Sequence, residues 1–244
     1  MNTKAISIIS KDLKFEWIYF LQNFQNYDLF IVIDDNLMDY QTIYQEKYKN
    51  IHFIQIEPEE CQQKNYKNTS TLTIHKEISG WDKALYYFTH VNKKYEHVWF
   101  IEDDVFFHGE QTLINLDKAY ENTDIICNSN FEKAKLNEWM WSSIDIQLPY
   151  PYYCGMMCGI RVSKKMLESI SDYAEKNKTL FYLEALFPTI AEHYSLSHTQ
   201  PEEIVSITYK NKWSMDDYNK TGLFHPVKQM NQHIHIRNFL DFSS

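Results

Sequence analysis

The most informative segment of this 244-residue chain reads Val98-Trp99-Phe100-Ile101-Glu102-Asp103-Asp104-Val105. A continuous apolar run of this kind is typical of a central strand that is covered on both faces of a sheet. The run stops abruptly at three acids, and in an open α/β sheet ligands bind just beyond the carboxyl ends of the strands. The segment therefore predicts a buried strand whose end contributes to a ligand site.

Strand and helix signals alternate through the first half of the chain. Short apolar runs at 5–9, 28–33 and 51–56 predict three further strands. Ser79 and Asp82 have the spacing of a capping box, which predicts the start of a helix. This alternation is typical of an α/β fold, and we expect a Rossmann-like, mostly parallel central sheet flanked by helices.

The second half of the chain has fewer clear signals. Residues 124–127 predict a short strand, and an amphipathic pattern from Ser163 to about Lys176 predicts a helix. The tail from 213 to 244 is polar and shows no clear period. Within it, His233 and His235 alternate as residues on a strand edge would.

The overall charge limits the classes of partner. A formal net charge of −9 argues against nucleic acid or an anionic membrane as the main partner, because both would be repelled. The chain contains no stretch of about 18 apolar residues, so we expect no transmembrane segment and a cytoplasmic location. Its cysteines lack the C-x2-C spacing of a zinc ribbon and are predicted to be buried thiols: Cys61, Cys127, Cys154 and Cys158.

The three acids at the strand end predict a metal site. If the extended geometry persists, Glu102 and Asp104 point to one side and Asp103 to the other. Two carboxylates on one side repel each other unless a divalent cation lies near them, and hard oxygen ligands suit Mg²⁺ or Mn²⁺. A solvated acidic turn is the alternative, but the apolar residues 105–107 that follow place the acids within core sequence.

The segment 98–105 resembles the DxD-type motif of GT-A glycosyltransferases, in a Glu-x-Asp variant. In that superfamily the motif holds Mn²⁺ or Mg²⁺ against the diphosphate of a nucleotide sugar. The order of the other elements is similar over roughly residues 4–230. The resemblance and the chain length imply one GT-A-like domain over 1–244, with a nucleotide-binding part at about 1–108 and an acceptor and catalytic part at about 109–244.

The resemblance implies further ligands for the metal and the diphosphate. His225 is followed by Pro226, which fixes the chain locally and presents the ring in a defined direction. It resembles the C-terminal metal-ligand histidine of many GT-A enzymes, so the implied metal ligands are Glu102, Asp104 and His225. Lys228 would then meet the diphosphate. A histidine in a surface loop is the alternative.

The resemblance also implies a catalytic base. Glu184 lies in the first turn of an apolar helix predicted at 183–194, in a segment that resembles the one carrying the base of inverting GT-A enzymes. A carboxylate in apolar surroundings, with a raised pKa, could take the proton of an acceptor hydroxyl. A first-turn acid also complements the helix dipole, which is the structural alternative. Glu192 on the same helix is the competing candidate.

The nucleotide-binding residues are predicted from their places at strand and helix ends. Asp34 and Asp35 follow the second predicted strand and could face the base or the ribose. Lys83 lies near a helix start, where both the side chain and the helix N-terminus favour anions. Asp103 is assigned to the same donor site. Each of these residues could instead be structural or solvated.

An aromatic segment predicts the acceptor site. Trp139, Trp141 and Tyr153 lie with two further tyrosines in a region of little regular period. Aromatic rings stack on sugar faces while their polar atoms bond hydroxyls, which suits a carbohydrate acceptor. Core packing is the alternative for some of these rings.

These residues together predict metal-dependent transfer of a sugar from a nucleotide-diphosphate sugar, uridine-linked, to a carbohydrate acceptor in glycan biosynthesis. Inversion at the anomeric carbon follows if Glu184 is the base. A nucleotidyltransferase is one alternative, although the segment 7–12 lacks the glycines of its usual phosphate loop. A sugar-binding or nucleotide-binding protein with a degenerate site is the other.

Overall fold

A computed structural model describes residues 2–70, 78–128, 141–209 and 212–242. The strands of these ranges are β1 (Lys4–Ser10), β2 (Asp28–Ile33), β3 (Ile51–Ile54), β4 (His97–Glu102), β5 (Phe106–Phe107), β6 (Ile125–Asn128), β7 (Met156–Ser163), β8 (His198–Thr199) and β9 (Leu223–Phe224). The α-helices are α1 (Phe15–Leu21), α2 (Tyr40–Tyr44), α3 (Pro58–Gln63), α4 (Gly80–Tyr86), α5 (Glu110–Ala119), α6 (Lys164–Asn177), α7 (Leu183–His193) and α8 (Met230–Phe242). A π-helical turn, Tyr87–Val91, continues α4.

Seven of the strands form one sheet in the order β3-β2-β1-β4-β7-β6-β8. The pairs β1/β2, β1/β4, β2/β3 and β6/β8 are parallel, and only β7 runs antiparallel to its neighbours β4 and β6. Strands β5 and β9 form a separate two-stranded antiparallel sheet. The predicted α/β fold with a mostly parallel central sheet is therefore confirmed.

Strand β4 is covered on both faces, as its apolar run predicts. Val98 and Phe100 pack in one hydrophobic cluster, whereas Trp99 and Ile101 pack in the cluster on the other face. All four side chains are at most 1% exposed. Burial of a large apolar side chain stabilises a fold by about 1.5–3 kcal/mol relative to exposure. The strand end that carries the acids is therefore held by a well-packed element.

Helices α4 and α6 both begin where the sequence predicts, each with a serine that caps its first turn. The Ser79 hydroxyl accepts from the backbone N–H of Asp82, and the Asp82 carboxylate accepts from the Ser79 N–H at 2.9 Å. The Ser163 hydroxyl likewise accepts from the Met166 N–H at the start of α6. These bonds satisfy N–H groups that have no partner within the helix. The local sequence signals for both helices are thus confirmed.

The tail contains a helix, α8, where the sequence shows no clear period. His233, Ile236 and Leu240 are its buried residues, at spacings of three and four that place them on one helical face. The strand-edge interpretation of His233 and His235 is wrong, because His233 lies within α8 and its Nε2 donates to the Val227 carbonyl at 2.7 Å. The apolar face is too narrow to stand out in the sequence.

The cysteines were predicted to be buried thiols. Cys61, Cys127 and Cys158 are buried, but Cys154 is only partly buried. None of these four thiols forms a disulfide. Within the described ranges, no helix combines the length and the apolar character needed to cross a bilayer.

Candidate functional site

The acidic triplet lies at the point where the strand order reverses. The chain adds β2 and then β3 on one side of β1, and it returns from β3 to place β4 on the other side of β1. In open α/β sheets the crevice at such a switch point, at the carboxyl ends of the strands, is where ligands bind. Ser10 ends β1 and Glu102 ends β4 at this crevice. The fold therefore places the triplet at its expected ligand site.

Glu102 is held by the first turn of α4. The Trp81 indole Nε1 donates to Glu102 Oε1 at 2.7 Å. The pKa of Glu102 is raised, mainly by burial and also by the charge of Asp104. Hydrogen bonds from Trp81 and from the Cys158 thiol oppose this rise in pKa without cancelling it. A half-buried carboxylate beside a second one is electrostatically costly unless a cation is near.

Asp104 and His225 are brought together from distant parts of the chain. His225 Nε2 lies 3.3 Å from Asp104 Oδ1, and the Val227 N–H donates to the Asp104 carbonyl at 2.7 Å. Burial by itself raises the pKa of Asp104, but contact with His225 and the charge of Lys228 bring it below its usual range. The loop after β9 therefore closes over the end of β4.

The imidazole of His225 is oriented by its other nitrogen. His225 Nδ1 lies 2.7 Å from the Thr208 carbonyl, and a carbonyl only accepts, so Nδ1 carries the proton. Nε2 then faces Asp104 and, in the neutral ring, presents a lone pair. Metal-binding histidines are commonly fixed by such a bond to a backbone carbonyl.

The donor atoms around Nε2 fit a divalent cation. A Glu102 carboxylate oxygen, the Cys158 Sγ and a ring nitrogen of His225 lie within 4.8 Å of one another. Asp104 Oδ1 is buried, and its contact with His225 lacks hydrogen-bond geometry. Buried carboxylates with an unmatched oxygen next to an imidazole are suited to a bound cation.

Of the three residues that the sequence predicts as metal ligands, Glu102 and His225 thus belong to one group of ligand atoms, and Asp104 lies beside His225. The structure also adds Cys158, which sequence reasoning missed. Strand β7 pairs antiparallel with β4 in a register that sets Gly159 opposite Ile101, so Cys158 comes next to Glu102. No spacing along the chain indicates this neighbour, because it depends on which strand pairs with β4.

Asp103 points away from Glu102 and Asp104, as the alternation predicts. Its carboxylate accepts from the Ser10 hydroxyl and forms an ion pair with Lys14. The Trp17 Nε1 donates to its backbone carbonyl at 3.1 Å. These contacts join the end of β4 to the segment after β1, and Asp103 still lines the crevice.

Two adjoining cavities extend from the triplet along the ends of β1 and β2. The smaller, of about 270 Å³, is lined by the acidic triplet together with Lys11, Asp34 and Gly80 among others. The larger, of about 700 Å³, shares Lys11 and Asp34 and is also lined by Asp35, Asn36 and Lys83. The predicted nucleotide residues Asp34, Asp35 and Lys83 therefore share a crevice that begins at the acids.

Lys83 has a carboxylate partner of its own. Its Nζ lies 3.0 Å from Asp34 Oδ1 and also donates to the Asp34 carbonyl. The lysine is only 1% exposed. Any contribution of Lys83 to nucleotide binding would thus act through the position of Asp34, since its ammonium group already faces that residue.

Glu184 lies beside the metal-ligand cluster in the first turn of α7. The pKa of Glu184 is raised to about 7, mainly by burial and next by the charge of Glu102, although His225 and a hydrogen bond from Tyr182 oppose the rise. A carboxyl group with a pKa near 7 is suited to general-base chemistry. Glu192, near the other end of α7, instead contacts His198 Nε2 at 3.0 Å.

The predicted acceptor residues are only partly described. Trp139 lies outside the described residues, and Trp141 begins a short 3-10 helix, but its side chain lies outside the described part. The Tyr153 N–H donates to the Thr189 hydroxyl at 3.0 Å, and the Gly155 N–H donates to the Glu184 carbonyl at 3.0 Å. The segment of Tyr153 therefore packs along the helix that carries Glu184.

Lys228 is exposed in the loop that follows His225. It lines a cavity of about 850 Å³ whose other walls include Lys212, Trp213, Tyr218 and Gln232. The described residues that line this cavity include two lysines and no carboxylate. The sequence gives no signal for this cavity, because its walls come from the tail and from α8.

We expect His225→Asn to weaken the binding of a divalent ion at this cluster by about 10–100-fold, the usual cost of losing even an outer partner of a metal ligand. The asparagine amide can still donate to the Thr208 carbonyl, which His225 Nδ1 contacts, but it cannot replace Nε2. The measurement is calorimetric titration of the protein with Mn²⁺.

His225→Gln is the matched variant, because its longer amide reaches toward the position of Nε2 and gives up the Thr208 contact. Binding that survives in His225→Asn and is lost in His225→Gln would show that the Thr208 contact, rather than a metal bond, is what His225 contributes.

Comparison with known proteins shows similarity only at the level of structure. No protein-family model matches the chain, and no curated protein does. An active-site mutant of LgtC is 9% identical, with 97% of this chain and 96% of that chain covered at a TM-score of 0.51. The galactosyltransferase LgtC in complex with donor and acceptor sugar analogs gives the same identity and coverage at a TM-score of 0.50.

A third solved structure belongs to a different class of enzyme. It is 4-diphosphocytidyl-2C-methyl-D-erythritol synthase from Anaerococcus prevotii, with 13% identity and a TM-score of 0.49 over 98% of this chain and 97% of that chain. At such identities a likeness concerns the fold. The chain has a GT-A-like, Rossmann-type α/β fold.

Proposed function

We propose that this chain is a divalent-metal-dependent glycosyltransferase. It would transfer a sugar from a nucleotide-diphosphate sugar, uridine-linked, to a carbohydrate acceptor with inversion at the anomeric carbon. The observation that carries this proposal is the convergence of Glu102, Asp104 and His225 at the sheet's switch point, with Glu184 beside them. The same elements on a GT-A-like fold support sugar transfer, although fold alone does not define an activity.

The metal would be Mn²⁺ or Mg²⁺, held by Glu102, Asp104 and His225. When bound, such an ion neutralises charge on a diphosphate leaving group. Lys228 is exposed on the same loop, and its charge already reaches Asp104. In this proposal Lys228 would meet a phosphate oxygen of the diphosphate.

The donor nucleotide would lie along the ends of β1 and β2. Asp34 and Asp35 line the crevice there with Asn36, and carboxylate and amide oxygens accept hydrogen bonds from ribose hydroxyls and base N–H groups. Lys83 holds Asp34 in place. Asp103 links this region to the metal ligands, since it lines the same crevice as Asp34.

Glu184 would act as the general base. It would accept the proton of the acceptor hydroxyl as that oxygen bonds to the anomeric carbon and the sugar–phosphate bond breaks. Its raised pKa suits this role. Attack from the face opposite to the leaving diphosphate gives inversion.

The remaining assignments belong to the same proposal. Trp139, Trp141 and Tyr153 would bind the acceptor, and the Tyr153 N–H donates to Thr189 on α7. The chain would work as one domain, in the cytoplasm, in the assembly of a glycan.

A thermal-shift screen of UDP-sugars with and without Mn²⁺ tests the proposal. A ligand at a hundredfold excess over Kd stabilises the folded state by about 2.7 kcal/mol, which is roughly 5–11 °C in Tm for a chain of this size. We expect this rise only when Mn²⁺ and a uridine nucleotide are both present.

Product analysis then separates the alternatives. Release of UDP from the stabilising donor, increased by a carbohydrate acceptor, supports the transferase. Stabilisation without any turnover would identify a binding protein. Pyrophosphate release from a nucleoside triphosphate would identify a nucleotidyltransferase.

A further inference from the structure

Cys158 adds a soft ligand to a site that otherwise offers oxygen and nitrogen. It lies in β7, next to Glu102 of β4, and is 8% exposed. Its Sγ, a Glu102 oxygen and a His225 nitrogen are mutually within 4.8 Å. The thiol, the imidazole and the carboxylate come from three segments that are distant in the sequence, and the fold brings them together.

The surroundings of the Cys158 thiol are apolar and acidic. Burial raises the pKa of the Cys158 thiol, and the charge of Glu102 and its hydrogen bond raise it further. The geometry does not depend on this pKa, because the sulfur atom lies within 4.8 Å of both a Glu102 oxygen and a His225 nitrogen.

Thiolate, imidazole and carboxylate are the three ligand types that Zn²⁺ takes in proteins. Thiolate ligands favour Zn²⁺ and other soft or borderline ions, whereas carboxylate oxygens favour Mg²⁺ and Mn²⁺. The cluster therefore contains two overlapping donor sets. Glu102, Asp104 and His225 suit a hard ion, and Glu102, Cys158 and His225 suit a thiophilic one.

We propose that Glu102, Cys158 and His225 form a thiolate-containing site for Zn²⁺ or another thiophilic divalent ion, which competes with Mn²⁺ or Mg²⁺ for Glu102 and His225. When the ion binds, the S–H bond of Cys158 breaks, its proton passes to solvent, and a sulfur–metal bond forms. Only the competition rests on the proposed function; the binding of the thiophilic ion does not.

Cobalt titration of the metal-free full chain tests the site directly, because Co²⁺ adopts the ligands of Zn²⁺ and a thiolate–Co²⁺ bond gives a near-ultraviolet charge-transfer band. We expect the band in the wild type and in Cys154→Ser, and we expect its loss in Cys158→Ser. Cys154 is the matched control because it is partly buried near Glu184 but lies outside the cluster.

Zinc affinity gives the second measurement. Cys158→Ser should weaken Zn²⁺ binding by about 10–100-fold, as the loss of a metal-ligand partner does, whereas Cys154→Ser should bind Zn²⁺ as the wild type does. In the wild type, Zn²⁺ should reduce the Mn²⁺-dependent binding of UDP, and Cys158→Ser should relieve this reduction.

A wild-type Co²⁺ complex without a thiolate band overturns the inference, and this result does not depend on whether Cys158→Ser folds. A band that persists in a folded Cys158→Ser would also overturn it. Either result, together with intact Mn²⁺-dependent UDP binding, would leave the proposed glycosyltransferase function standing. A normal thiolate band in a protein that does not bind UDP in Mn²⁺ would contradict the proposed function and would leave the thiolate-containing site standing.

Discussion

Glu184→Gln should reduce turnover by about 10²–10⁴-fold, the usual contribution of a positioned proton acceptor, while nucleotide-sugar binding stays near the wild-type level. Glutamine has almost the same shape as glutamate but cannot accept the proton of the acceptor hydroxyl. The fold should tolerate the change, because burial and the charge of Glu102 already raise the pKa of Glu184 to about 7 and the neutral side chain is therefore inexpensive to bury. Initial rates of UDP release and calorimetric binding of the donor measure the two effects.

Glu168→Gln is the control for this substitution. Glu168 is exposed on α6, so the same chemical change there should leave turnover and Tm unaltered. The anomeric configuration of the wild-type product, read by NMR, is an independent check. Retained configuration would exclude a single displacement assisted by Glu184. A fully active Glu184→Gln would transfer the role of base to another acid, with Glu192 as the first to examine.

Asp104→Asn should abolish most Mn²⁺-dependent binding of UDP, with a loss in affinity of at least about 10–100-fold. The substitution removes the charge of a carboxylate that faces His225 Nε2 at 3.3 Å. The side-chain shape is retained, and the backbone bond from the Val227 N–H to residue 104 does not depend on the side chain. Calorimetric titrations of UDP in Mn²⁺ and in excess chelator give the comparison.

Asp172→Asn is the matched control, because Asp172 is an exposed acid on α6 and lies in a different element from the crevice. It should bind UDP as the wild type does. Equal UDP affinity of the wild type in Mn²⁺ and in excess chelator would contradict a metal-dependent donor site. A large fall in Tm for Asp104→Asn would show that the ion pair with His225 is structural.

Much of the sheet could be predicted because its signals are local. The apolar run before Glu102 predicts β4, and the observed strand is His97–Glu102. The capping box of Ser79 and Asp82 predicts the start of α4, since its bonds join residues three apart. The helix α8 could not be predicted in this way, because only a narrow stripe that includes Ile236 meets the core.

Only part of the site could be predicted from the sequence. The alternation of Glu102, Asp103 and Asp104 follows from strand geometry, and the structure places Asp103 against Lys14 on the other side. The pairing of Lys83 with Asp34 was not predicted, because it joins a helix to the end of a different strand. The cavity beside Lys228 depends on how the tail packs, and so it has no signal along the chain.

By itself, the sequence determined the fold class and the place of the acids at the end of a buried strand, because both depend on polarity patterns within a few residues. Tertiary structure alone decided that Cys158 lies beside Glu102 and that Asp104 faces His225 Nε2 at 3.3 Å. These neighbours depend on strand order, on the register of β4 with β7, and on the path of the loop after β9. Those features are set by the packing of the whole core, since each strand can pair only where its apolar faces are buried.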